Sequence, residues 1–366
     1  MTDSEASPSV RIETLGLPTL PTSPYSPNVQ LAVLIGAVLG IALGAAYAIL
    51  RQHLDRRIRS TTIVEGMGCS VVGTIPQDER LKKGRAVVSG PTLELANDKH
   101  GHAFAEALRE LRINLSYVDV DNPPGSIVVT SSVAAEGKSS VAANLAAAIA
   151  ATGKRTVLID ADLRRSVQSI IFDLPGGAGL SDVLAGTAYV EDVLMPYGPI
   201  PELEILAAGR MPPNPAELLG TQAMVRLIDT LVADHVVIID APPLLPVTDA
   251  LVLSTLADGM LVTVRAGKTT VDEFGKSLEN LRRVGARVLG VILNQVPTKG
   301  IGSAQYGYYG QYYSSSSDAG AGKKSARRNA KKTRSASAEP ATAVPHVDDE
   351  FDAQLHGLRH ARRLRN

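Results

Sequence analysis

Ten consecutive residues, Ser131 to Ser140 (SSVAAEGKSS), combine the types that can hold a phosphate. They follow an apolar, β-branched run, Ile127-Val128-Val129-Thr130, and lead into Val141 to Ala150, an alanine-rich stretch that reads as a helix. A strand, a short turn and a helix opening on Gly-Lys-Ser is the context a phosphate-binding loop requires. The first backbone N–H groups of a helix have no partner within it, and the aligned peptide dipoles add roughly half a positive charge there. Gly137 lets the backbone approach an anion, Lys138 can reach the β- and γ-phosphates, and the Ser139 hydroxyl can hold Mg²⁺. Ala135, Glu136 and Ser140 complete the turn expected to bind a nucleoside triphosphate. Two departures stand out: Ser132 occupies the usual place of the first glycine, and Ala134-Ala135 a part of the loop that is often Pro or Gly. A backbone with positive φ there would cost an alanine roughly 1 kcal/mol.

Three carboxylates extend this chemistry. Val157-Leu158-Ile159 ends in Asp160-Ala161-Asp162-Leu163-Arg164, and Val236-Val237-Ile238-Ile239 ends in Asp240-Ala241-Pro242-Pro243. A single Asp at a strand end is usually a cap or turn former. Three that share the carboxyl ends of strands with Gly137-Lys138-Ser139 point instead to a metal–phosphate site, because open α/β sheets bind ligands at those ends. Phosphoryl transfer is mainly positioning and charge neutralisation, so it needs Mg²⁺, a lysine, and a carboxylate to accept the incoming hydroxyl proton. Asp240 suits the magnesium side.

The elements that must position these groups alternate along the chain. Leu203 to Leu206 and Met260 to Val264 read as strands, as does Val288 to Asn294; 271–284 reads as a helix, and Pro215 to Ala233 as another, capped by Asn214. Continuously apolar strands separated by helices predict an α/β P-loop NTPase fold with a mostly parallel sheet covered on both faces. Ala103 to Leu115 reads as a helix with Glu106, Arg109 and Arg112 on one face, a spacing that by itself suggests a local ion pair.

Outside that domain the chain changes character. Residues 1–28 are polar and Pro-rich, and Val29 to Leu50 carries no charge. About 22 residues at 1.5 Å each span roughly 33 Å, enough for one transmembrane helix. Arg51, Arg56, Arg57 and Arg59 follow it, whereas Asp3, Glu5 and Glu13 accompany Arg11 before it, so the long C-terminal part is expected in the cytoplasm. Residues 51–100 form a juxtamembrane connector with a short strand, Cys69 to Ile75; 101–300 form the P-loop domain; 301–366 hold a Tyr cluster and a basic, disordered tail. Lys+Arg and Asp+Glu are both 37, so net charge does not point to nucleic acid. The single cysteine, Cys69, excludes an internal disulfide, and no Cys/His spacing suits zinc. Half of the ten tyrosines, Tyr306, Tyr308, Tyr309, Tyr312 and Tyr313, fall in one Gly/Ser-flanked stretch that reads as a set of exposed acceptor hydroxyls.

Together these motifs resemble the bacterial tyrosine kinases that accompany capsular and exopolysaccharide synthesis. Residues 131–140 look like their Walker A motif, Val157 to Arg164 like Walker A′, and Val236 to Pro243 like Walker B; Gly209 to Leu219 also looks like a family segment. The resemblance covers about residues 100–313 and implies a membrane protein-tyrosine kinase using ATP and Mg²⁺ to regulate polysaccharide polymerisation or export. It implies Lys138 neutralising phosphates, Ser139, Asp162 and Asp240 on the metal side, Asp160 as the base for a tyrosine hydroxyl, Arg164 completing Walker A′, and Asn294 near the nucleotide base. Glu106, Arg109 and Arg112 match an E-x-x-R-x-x-R motif, which implies a homo-oligomeric ring in place of the local pair; the tyrosine cluster matches trans-autophosphorylation sites. Implied partners are polysaccharide assembly and export proteins and a tyrosine phosphatase, with no nucleic acid. Ala134-Ala135 depart from the family's usual Pro-Gly. The N-terminus departs too: related single-chain proteins carry two transmembrane helices around an extracytoplasmic chain-length domain, of which Val10 to Glu13 resembles only the end. Two other readings share the fold: a ParA/MinD-type ATPase switch without kinase activity, and a non-catalytic ring-forming scaffold.

Overall fold

The computed structural model describes residues 28–77 and 99–297. Helix α1 (Val29–Leu54) is followed by α2 (Thr61–Gly66), β1 (Val71–Pro76) and α3 (Lys99–Val118). Next come β2 (Ser126–Ser131), α4 (Lys138–Ala150), β3 (Thr156–Asp160) and the short helices α5 (Gln168–Ile171), α6 (Leu180–Leu184) and α7 (Val190–Val193). Strands β4 (Leu194–Pro196) and β5 (Leu203–Leu206) precede α8 (Pro215–Leu219) and α9 (Gln222–Val232). The described chain ends with β6 (Val236–Asp240), α10 (Asp249–Ser254), β7 (Gly259–Arg265), α11 (Val271–Arg283) and β8 (Val288–Val296).

These strands form one sheet in the order β1-β8-β7-β2-β6-β3-β5-β4, and every neighbouring pair is parallel except β4 with β5. β2 and β3 are buried along their whole length, as their uninterrupted apolar runs require when both faces are covered. Period-2 alternation sends Ile127 and Val129 to the face covered by α3 and α4, where they join Leu158, Ile238, Leu261, Leu108, Leu111 and Leu145 in one cluster. Helix α4 is buried on nearly every side, and its alanines let it lie close against the sheet. Helices α9 and α11 bury Met224, Leu227, Ile228 and Leu231, and Phe274, Leu278 and Leu281.

Several local expectations change. The helix expected over Pro215 to Ala233 is two helices: α8 stops at Gly220, and Thr221, extended at φ −77° and ψ 157°, opens α9. Asn214 makes no side-chain cap; its Nδ2 instead donates to Glu217 Oε2 at 2.8 Å. Strand β4 has only three residues, one of them Pro196, which leaves too little pattern to read and suits a sheet edge.

Helix α1 contains a 23-residue stretch, Val29–Arg51, long and apolar enough to cross a membrane, with its side chains exposed. The residues just after it are stitched into the domain. Ile58 N–H donates to the Thr269 carbonyl at 2.9 Å, Gly267 N–H to the Ile58 carbonyl at 2.8 Å, and Val271 N–H to the Arg56 carbonyl at 2.8 Å. The Ile58 side chain is fully buried.

Candidate active site

The turn from β2 to α4 wraps a helix N-terminus whose cap is Gly137, at φ 92° and ψ 20°. That left-handed conformation favours glycine, and a Cβ at this position would collide with the Asn294 amide. Ala135 also adopts a positive φ, 65°, so the strain weighed for this position is present. Asn294 does not line the cavity; it buttresses the loop from behind. Its Nδ2 donates to the Glu136 carbonyl at 2.8 Å and its Oδ1 accepts from Gln295 N–H at 2.9 Å. The Glu136 carboxylate also points away from the helix mouth, accepting from Val133 N–H at 3.1 Å and from the Thr269 hydroxyl. Burial pushes its pKa up, against those two hydrogen bonds.

The first turn of α4 meets the carboxyl ends of β3 and β6. Lys138 Nζ lies 2.8 Å from Asp162 Oδ2, 3.3 Å from Asp240 Oδ1 and 3.0 Å from Ser139 Oγ. Asp160 and Asp240 are register partners on adjacent strands, both fully buried. Burial, and then the charge of Asp240, push Asp160 up to about 7. Burial likewise raises Asp240, although Lys138 opposes it. Burial pulls the Lys138 ammonium down, but Asp240 and Asp162 outweigh it and hold its pKa above the ordinary value.

A cavity of about 440 Å³ opens on this turn. Ala134, Ala135 and Gly137 to Ser140 form one wall; Asp162, Arg164, Arg165 and Val167 form another; Pro242, Pro243, Pro246 and Val247 face them. Asp160 is not among the lining residues. Its Oδ1 accepts from Asp162 N–H at 3.2 Å, and its Oδ2 from Ser166 Oγ at 2.9 Å and Gln168 N–H at 3.0 Å. The residue expected to be the base therefore braces the turn after β3, while Asp162 presents its carboxylate to the cavity.

Three residues outside the sequence-based expectations complete the site. Asp249, fully buried at the start of α10, binds Arg164 through both oxygens, at 2.8 Å and 3.1 Å. Such a bidentate fork fixes the guanidinium plane against the cavity. Gln168 ties Ser139 to Asp240, and Thr269 anchors Glu136. No local pattern marks them, since each is defined by a partner far away in the chain.

Asp162 and Asp240 against the one ammonium of Lys138 leave negative charge that a divalent cation would offset. The donors are hard oxygens, as magnesium prefers, and that ion is usually held by one or two carboxylates plus substrate phosphates, not by an all-protein cage. Consistently, no group of three or more His, Cys, Asp or Glu is arranged as a metal cage among the described residues. The residues present fit Mg²⁺ on Ser139 and Asp240; Asp162, grouped with them by the family resemblance, lies at the cavity wall, ion-paired with Lys138.

Glu106 and Arg109 pair on α3, with Arg112 one turn on and partly exposed; none of them lines the cavity. The tyrosines at 306–313 and the basic tract lie outside the described residues.

Residues 127–311 match the CobQ/CobB/MinD/ParA nucleotide binding domain family. The tyrosine-protein kinase YwqD of Bacillus subtilis is 38% identical over 207 residues, 56% of this chain and 86% of YwqD. The putative tyrosine-protein kinase EpsB of Ralstonia nicotianae is 33% identical over 308 residues, 80% of this chain but 40% of EpsB, so the chain spans about two fifths of that relative. Among solved structures, the kinase domain of the Escherichia coli tyrosine kinase ETK superposes with a TM-score of 0.59 at 32% identity, covering 67% of this chain and 98% of that domain. With a phosphate loop at the β2–α4 turn and paired aspartates at the ends of β3 and β6, the chain belongs to the bacterial tyrosine kinases built on this nucleotide-binding domain.

Proposed function

We propose that the chain is a membrane-anchored protein-tyrosine kinase that uses ATP and Mg²⁺ and phosphorylates its own C-terminal tyrosines, regulating polysaccharide polymerisation or export. The observation that carries this reading is the Lys138 ammonium set between Asp162 and Asp240 at the first turn of α4. An ammonium, a helix N-terminus and metal-side carboxylates in one place are the parts that phosphoryl transfer needs. Mg²⁺, when bound, supplies charge neutralisation for the phosphates. Lys138 and the backbone N–H groups from Gly137 to Ser140 hold the phosphates, and Ser139 and Asp240 hold the metal. Arg164, fixed by Asp249, faces the transferred group.

The tyrosine oxygen attacks the γ-phosphorus, and the bond from that phosphorus to the β–γ bridging oxygen breaks, releasing ADP. Asp162, as the carboxylate lining the cavity, accepts the phenolic proton, while Asp160 holds the turn that carries it. The acceptors are Tyr306, Tyr308, Tyr309, Tyr312 and Tyr313. Copies assemble through Glu106, Arg109 and Arg112 into a ring, with α1 in the inner membrane and residues 51–366 in the cytoplasm. The five-part organisation read from the sequence belongs to this proposal, as do a phosphatase and polysaccharide-assembly proteins as partners.

The test incubates the full chain in detergent with Mg-ATP and maps phosphotyrosine by mass spectrometry, beside Lys138→Met. Phosphate on residues 306–313 that disappears in the variant supports the kinase. ATP hydrolysis with unmodified tyrosines replaces it with an ATPase switch, and neither activity in a folded chain replaces it with a scaffold.

A further inference from the structure

Gln168 opens α5, eight residues after Asp160, and its side chain reaches across the site although it is fully buried. Nε2 donates to the Ser139 carbonyl at 3.1 Å and to Asp240 Oδ2 at 2.8 Å. Two acceptors around one atom fix the amide orientation: the nitrogen must lie there, and the oxygen must point the other way. The backbone N–H of the same residue is held by Asp160 Oδ2 at 3.0 Å. One residue thus laces the phosphate loop to the ends of β3 and β6.

The other half of the amide is unsatisfied. Gln168 Oε1 is buried without a hydrogen-bond partner, one of four such side-chain atoms among the described residues. A buried acceptor without a donor costs its full desolvation, and native proteins rarely leave one unpaired without a functional reason.

We propose that Gln168 is a positioning residue for the magnesium site: its Nε2 orients the Asp240 carboxylate and the Ser139 turn against each other. Outer partners of this kind commonly set metal affinity by about 10–100-fold. The proposal rests on the magnesium–nucleotide reading of the site and is independent of whether phosphate is transferred to tyrosine.

The test titrates Mg²⁺ into the full chain in detergent with a fluorescent ADP, and repeats the titration with Gln168→Met and Gln168→Asn. Methionine keeps the length and removes both polar atoms; asparagine keeps the amide on a stem too short to span Ser139 and Asp240. Both variants should raise the half-saturating Mg²⁺ concentration about tenfold or more, while ADP affinity in EDTA moves far less. If the methionine variant does not fold, the asparagine variant decides. A lowered melting temperature with an unchanged Mg²⁺ midpoint would make Gln168 purely structural and overturn the proposal. A wild-type chain whose ADP binding ignores Mg²⁺ overturns the underlying site reading instead, which keeps the two failures distinct.

Discussion

Lys138 has a structural task beside its chemical one. Its side chain is 11% exposed, and its two carboxylate partners are more deeply buried still. Removing one partner of a buried ionic group leaves the others unpaired, which typically costs about 3–5 kcal/mol. Lys138→Met should therefore lower the melting temperature as well as abolish ATP turnover, and added Mg²⁺ should restore part of the lost stability; a melt with and without Mg²⁺ checks both. Glu136 gives a pH prediction of definite sign. Its folded pKa is raised above the ordinary 4.5, so the folded state holds the proton more tightly than the unfolded chain does. The resulting stability is full below that ordinary value and is lost as pH rises through the raised one. In Glu136→Gln this component disappears, so melting temperatures of wild type and variant should converge or cross as pH rises over that window; parallel curves would contradict the assignment.

At the scale of elements, the β2–α4 turn depends on a conformation that one residue supplies. Gly137→Ala combines a left-handed alanine with a collision at Asn294, a cost of about 1–3 kcal/mol carried by the loop itself. Nucleotide affinity should fall, measured with a fluorescent ADP, with a smaller loss in global melting temperature because the hydrophobic cluster under α4 is untouched. Ala135 already carries a positive φ, and Ala135→Gly sets relief of roughly 1 kcal/mol against a similar gain of chain entropy in the unfolded state. Denaturant melts should therefore place this variant within about 0.5 kcal/mol of wild type. The strand–loop–helix unit was legible from sequence because its signals are local: a β-branched run, a Gly-Lys-Ser turn and an alanine-rich helix. The break after α8 was not, since Gly220 is tolerated within a helical pattern and Thr221 is a cap only when the chain turns there.

Across the whole molecule, the residues after α1 connect a helix of membrane-spanning length to the phosphate loop. Ile58 is buried, its backbone pairs with Gly267 and Thr269, and the Thr269 hydroxyl holds Glu136. Ile58→Ala should destabilise the domain by about 2–4 kcal/mol through the cavity it leaves, read as a lower denaturation midpoint with an unchanged slope. By itself the sequence determined the fold class, the apolar stretch within α1, the phosphate loop and the carboxylates at the ends of β3 and β6, because short-range periodicity and turn chemistry encode them. Only the tertiary structure decided which carboxylate faces the cavity. It also made the pairs that brace the site: Gln168 with Asp240, 72 positions apart, Arg164 with Asp249, 85 apart, and Glu136 with Thr269, 133 apart. Those partners are set by strand order, which brings β6 between β2 and β3 although it follows them in the chain, and no local pattern carries that order.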